Sequence, residues 1–106
     1  MSDAPPLEHP AEIRRLCDEA IAGFEALAAA DPGERGRLVP GLRALLERID
    51  EAVEEADLLH PDFAREQGWL VDASSALQSI DLDRGGPHVP RFVERAVADL
   101  RRVAGP

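Results

Sequence analysis

"GLRALLERIDEAVEEADLL", residues 41–59, separates its leucines from its acids by helical spacing. At about 100° of rotation per residue, Leu42, Leu45, Leu46, Ile49, Val53, Ala56 and Leu59 fall on one arc. Glu47, Asp50, Glu51, Glu54, Glu55 and Asp57 fall on the opposite arc. An apolar stripe of that width is the core-facing side of an amphipathic helix. The carboxylates must then look toward solvent or a partner. The inverse arrangement, acids inward, would mark a bundle that holds metal ions on Glu and Glu-x-x-His ligands. The spacing rejects it.

Working outward from this helix, Pro40 and Gly41 interrupt an otherwise helical pattern that begins near "DPGE", residues 31–34. A kink or restart is expected near Pro40, since proline lacks an N–H and crowds the preceding turn. Asp31 is placed to cap, Pro32 to take the first helical position, and Glu34 to complete a capping box. Before it, "PAEIRRLCDEAIAGFEALAAA", residues 10–30, carries Ile13, Leu16, Cys17, Ala20, Ile21, Phe24, Leu27 and Ala28 at helical spacing. After it, residues 61–80 form a less regular helix, with Gly68, Ser74, Ser75 and Ser79 inside the pattern. Its face is Phe63, Leu70, Ala73, Leu77 and Ile80. "DLDRGGP", residues 81–87, reads as a loop, and residues 90–104 as a clean helix with Phe92, Val93, Ala96, Val97, Leu100, Val103 and Ala104 inward. Strand-like alternation of β-branched residues is absent. The expectation is an all-α, antiparallel four-helix bundle formed by residues 10–104, preceded by a flexible tail over residues 1–9.

"LEHP" and "LLHP" precede the first and third helices, while "VPGL" and "VPRF" recur in the second and fourth, both pairs about fifty residues apart. That offset suggests two related helical hairpins.

Composition narrows the function classes. The 106 residues suit one domain. A formal charge of −9 repels phosphate and argues against nucleic acid. No apolar run approaches the roughly 20 residues of a membrane span. The acidic, proline-rich start "MSDAPPLEHP" lacks the features of a secretory signal, so a cytoplasmic location is expected. Cys17 is the single cysteine, which rules out an intramolecular disulfide and fits a buried small hydrophobe. All twelve basic residues are arginine.

The run "VEEADLLH", residues 53–60, resembles half of the MazG-like nucleotide pyrophosphohydrolase pattern. That resemblance implies Glu54 and Asp57 as a Glu-x-x-Asp pair that would share magnesium with a Glu-x-x-Glu pair on another helix. The first helix offers Glu12, Asp18, Glu19 and Glu25 without such a pair, and Pro61 breaks the helix where the pattern should continue. Half a site does not assign the chain to that family.

Two site hypotheses remain. In the first, Glu47, Asp50, Glu51, Glu54 and Glu55, with Trp69 as an apolar anchor, form a face that binds a protein partner, a basic one by charge. Tryptophan in a desolvated pocket carries disproportionate binding energy. In the second, His9, His60, Asp57 and Glu66, with Asp62 nearby, meet at one end of the bundle as a zinc or general-base cluster. The bland reading of these histidines, each beside a proline at a helix start, is punctuation, and it is preferred. No cofactor motif or nucleophile setting occurs. Acidic residues along the second helix and arginines along the fourth (Arg91, Arg95, Arg101, Arg102) also suggest charge pairing within the bundle or in a homodimer.

Overall fold

A computed structural model describes residues 11–59 and 64–105, with the side chains of residues 57–59 and 64 excepted. The tail expected over residues 1–9 lies outside this set, as do His9 and His60. Four helices follow in order: α1 (Ala11–Ala29), α2 (Pro32–Leu59), α3 (Ala64–Leu82) and α4 (Val89–Ala104). Each packs against its neighbours in the chain, and α4 closes the ring against α1. The diagonal pairs, α1 with α3 and α2 with α4, have no Cα atoms within 8 Å of each other and meet only through the shared core. Short links between consecutive helices make them antiparallel, in a bundle measuring 53 × 20 × 18 Å.

The core follows the stripes read from the sequence. Phe24, Ile13, Leu16 and Leu27 of α1 meet Ile49 and Val53 of α2, Leu77 and Ile80 of α3, and Leu100 and Val103 of α4, all fully buried. Burying each such side chain is worth about 1.5–3 kcal/mol, and this summed burial holds four helices that would be marginal alone. Gly23 permits the close approach of α1 and α2: a Cβ there would lie 2.9 Å from Leu42 Cδ1.

Helix α2 runs unbroken through Pro40, so no restart occurs. The physical reason lies in the register. Val39 and Leu42 are buried while Pro40 and Gly41 are exposed, so packing on either side holds the axis and the backbone disruption faces water. The "VPRF" counterpart has the same register, with Val89 buried and Pro90 exposed, but it opens α4 instead of lying within a helix. The two motifs thus share a facing and differ in their place along the helix.

The end carrying both described links is stapled by arginines. Asp31 Oδ1 accepts the Glu34 N–H at 2.8 Å and caps α2. The rest of the expected box does not form, because the Glu34 carboxylate turns to Arg37 at 2.8 Å instead. Arg35 donates to the Leu27 carbonyl at 2.8 Å, satisfying a backbone acceptor at the end of α1, and also to the Arg84 carbonyl between α3 and α4. Gly36 leaves room for the Arg84 guanidinium, whose Nη1 would lie 2.6 Å from a Cβ at that position. Asp81 accepts from Arg84 and from Arg43 of α2, and these bonds hold its carboxyl below the ordinary range. The third helix therefore extends to Leu82, two residues past the expected Ile80. Gly105, at φ 83°, takes the left-handed conformation that ends α4.

Candidate functional site

The carboxylates of α2 project from the bundle as their spacing requires. Glu47, Glu51, Glu54 and Glu55 are exposed and Asp50 is half-buried, whereas Leu42, Leu46, Ile49, Val53 and Ala56 are buried and Leu45 is half-buried. None of the five acids forms an ion pair with another described residue. They border two shallow grooves. One, of about 290 Å³, lies against α1 between Glu12, Ile13, Arg48, Glu51 and Glu55. The other, of about 500 Å³, lies against α3, where Glu47, Asp50 and Glu54 face Ser74 and Gln78. Glu51 borders both. The acids occupy the C-terminal half of α2 but stop short of its last turn, so the helix dipole acts on them only weakly. Glu47 with Glu51 and Asp50 with Glu54 repeat at four-residue spacing, a further small repulsion.

Trp69 stands apart from this face. It is half-buried against the core, its ring lies under the Arg65 guanidinium at 5.8 Å, and it lines neither groove. The structure does not join it to the acids of α2.

The residues of the metal hypothesis are only partly described. His9, His60, Asp62 and the Asp57 side chain lie outside the described set. Glu66 is buried, 2% exposed, in the first turn of α3, on the apolar arc where its spacing places it. Among the described residues, no group of three histidine, cysteine, aspartate or glutamate side chains is arranged to hold a metal ion. Cys17 is buried, and burial followed by the charge of Asp18 pushes its thiol up to about 12.

A second polar constellation lies across the α3–α4 seam, and the sequence reading passed over it. Asp72 of α3 accepts two bonds from the Arg95 guanidinium of α4, one from Nε at 2.8 Å. Asp99, one turn beyond Arg95, is 3% exposed and accepts from Arg102 at 3.3 Å. Within the bundle, no described acid of α2 pairs with an arginine of α4, because those helices are diagonal in the ring. Arg95 pairs instead with Asp72 on the adjacent helix, and Arg102 with Asp99 on its own. Asp99 carried one available signal: it falls three residues after Ala96 and one before Leu100, inside the apolar arc of α4.

The fold and this surface define an all-α bundle with one strongly acidic outer helix. No helix among the described residues is long and apolar enough to cross a membrane. No protein-family model matches the chain, and no curated protein or solved structure matches it significantly.

Proposed function

We propose that this protein is a non-enzymatic interaction module, of adaptor, antitoxin, immunity or chaperone type, that binds a basic protein partner on the outer face of α2. The observation that carries the reading is the set of five carboxylates on one face without an ion pair to any described residue. A helix that keeps like charges at four-residue spacing gives up some stability, and a cationic partner would recover it. The flanking grooves offer places for side chains between the charges.

The diagonal placement of α2 and α4 bears on who that partner is. Two copies joined acidic face to basic face would use different patches on each copy. Such a contact is heterologous and leaves one patch open at each end, so it does not close as a symmetric pair. A distinct basic protein fits the surface better than a second copy.

The test starts from a stoichiometric complex isolated from the native host. Its affinity should fall steeply with added salt, and Glu51→Arg with Glu54→Arg should weaken it at least tenfold while the helical circular dichroism and monomer stability persist. Affinity that ignores both salt and the double reversal overturns the reading.

A further inference from the structure

The outward side of α3 departs from the rule that a surface helix shows charge to water. From Gly68 to Leu82 its exposed residues are Gly68, Val71, Ser74, Ser75, Gln78 and Leu82, none of them charged. Val71 and Leu82 are 66% and 77% exposed, the large hydrophobic side chains left open to water among the described residues. Ser74 and Gln78 stand between them at spacings of three and four residues. All four therefore follow one ridge of the helix, about 16 Å long.

That ridge borders the groove of about 500 Å³ between α2 and α3, which Ser74 and Gln78 line. Leu46 and Leu77, 4% and 1% exposed, give it an apolar floor. Its other wall carries Glu47, Asp50 and Glu54, again at spacings of three and four. Arg43, also in the lining, is bonded to Asp81 at 3.3 Å. The groove is thus acidic along α2 and uncharged, partly apolar, along α3. The groove against α1 has no such contrast, because Glu12 stands across from Glu51 and Glu55 with Arg48 among them.

We infer that the α2–α3 groove seats an amphipathic helix of the basic partner, with lysines or arginines along the α2 wall and leucine- or alanine-sized side chains along the α3 ridge. The inference rests on the proposed acidic contact and adds the shape and pattern of what that contact holds. Both walls have helical spacing, with successive groups rising by about 4.5 and 6 Å. Cations three and four residues apart on a helix lying alongside match those rises, whereas side chains on one face of a strand recur at about 6.6 Å. A helix laid in such a furrow is held by anchors at i, i+3, i+4 and i+7, with its apolar face inward.

Synthetic peptides of about 16 residues, long enough to run the whole ridge, probe the groove on the intact protein. One carries lysines at i, i+3 and i+7 beside a strip of leucine and alanine; the other has the same residues shuffled so that no helical face collects them. The patterned peptide should bind at least tenfold more tightly by calorimetry and gain helical circular dichroism. It should also move the NMR amide signals of Val71, Ser74, Gln78 and Leu82 together with those of Glu47, Asp50 and Glu54. Val71→Gln with Leu82→Gln, both at exposed positions, should weaken it at least fivefold while its salt dependence stays. Equal affinity for the two peptides, no binding of the patterned one, or unchanged affinity in the α3 variant overturns the inference. So do signal changes centred on Glu12 and Glu55 of the other groove. The acidic contact itself fails by a different result, a native complex indifferent to salt and to reversal of Glu51 and Glu54.

Discussion

The outer face of α2 and the α3–α4 seam use the same functional groups to opposite ends. On α2, carboxylates crowd one exposed surface and form no ion pair with a described arginine. In the seam, two carboxylates are held among two arginines, one of them almost wholly out of water. Exposed charges in high dielectric interact weakly, whereas a desolvated pair must be neutralised or share a proton. The density of acids along a sequence therefore says little about where electrostatics governs stability. Here the deeper desolvation falls on Asp99 in the seam, and the crowded face forms no ion pair among the described residues.

The largest expected effect belongs to the seam. Because the folded Asp99 carboxyl lies at about 6, above its ordinary 3.8, the folded state binds the extra proton between those values. Stability therefore falls as pH rises from 4 toward 6, by on the order of 2 kcal/mol from the seam alone. Asp72 works with the opposite sign: its stabilisation is present above its ordinary value and lost as pH falls through its depressed one. Urea melts of Asp99→Asn should show that upper loss removed, leaving the variant the more stable protein at pH 8. Equal pH slopes in the two proteins would erase the contrast between the regions.

Arg95→Ala comes next. Without that guanidinium the Asp72 carboxyl should rise toward its ordinary value and the Asp99 midpoint should move further up, so the fall in melting temperature between pH 5 and 7 should steepen. An unaltered pH profile would mean that the bond between Arg95 and Asp72 has no hold on the seam.

Smaller effects sharpen the comparison. Gly41 of α2 and Gly68 of α3 are exposed, and a Cβ at either would meet nothing within 4 Å. Alanine at each should stabilise by about 0.5–1 kcal/mol through helix propensity alone. Similar gains in thermal melts would show that the two helices differ in charge placement and not in backbone tolerance. The smallest effect is expected from Glu51→Gln with Glu54→Gln. Relief of like-charge and dipole repulsion should change stability by no more than about 0.5 kcal/mol, in the stabilising direction. A loss of several times that size would mean that these acids hold the fold together, contrary to their exposure.

Much of the bundle was legible in the chain. The stripe from Leu42 to Ala56 placed the core side of α2 and turned its acids outward, because side-chain direction on a helix follows from local periodicity. Asp31 and Pro32 announced the start of α2 for an equally local reason. Three features resisted such reading. Pro40 suggested a kink or a restart; no restart occurs, because flanking contacts from Val39 and Leu42 carry the helix through it. Glu34 suited a capping box, but Arg37 one turn on offered its carboxylate a charged partner. Trp69, at the edge of its apolar arc, suited either a core cap or an interface anchor; it is half-buried against the core and lines neither groove beside the acids.

The sequence by itself determined the helical class and which side of each helix is apolar, since both depend on residues within a turn or two of one another. Only the tertiary structure decided which helices are neighbours. That choice set acidic α2 and basic α4 on opposite corners, and it brought Asp72 to Arg95 across 23 positions of chain. The energetics of two carboxyl groups depend on their separation in space and on the water excluded around them, and neither quantity is carried by spacing along the chain.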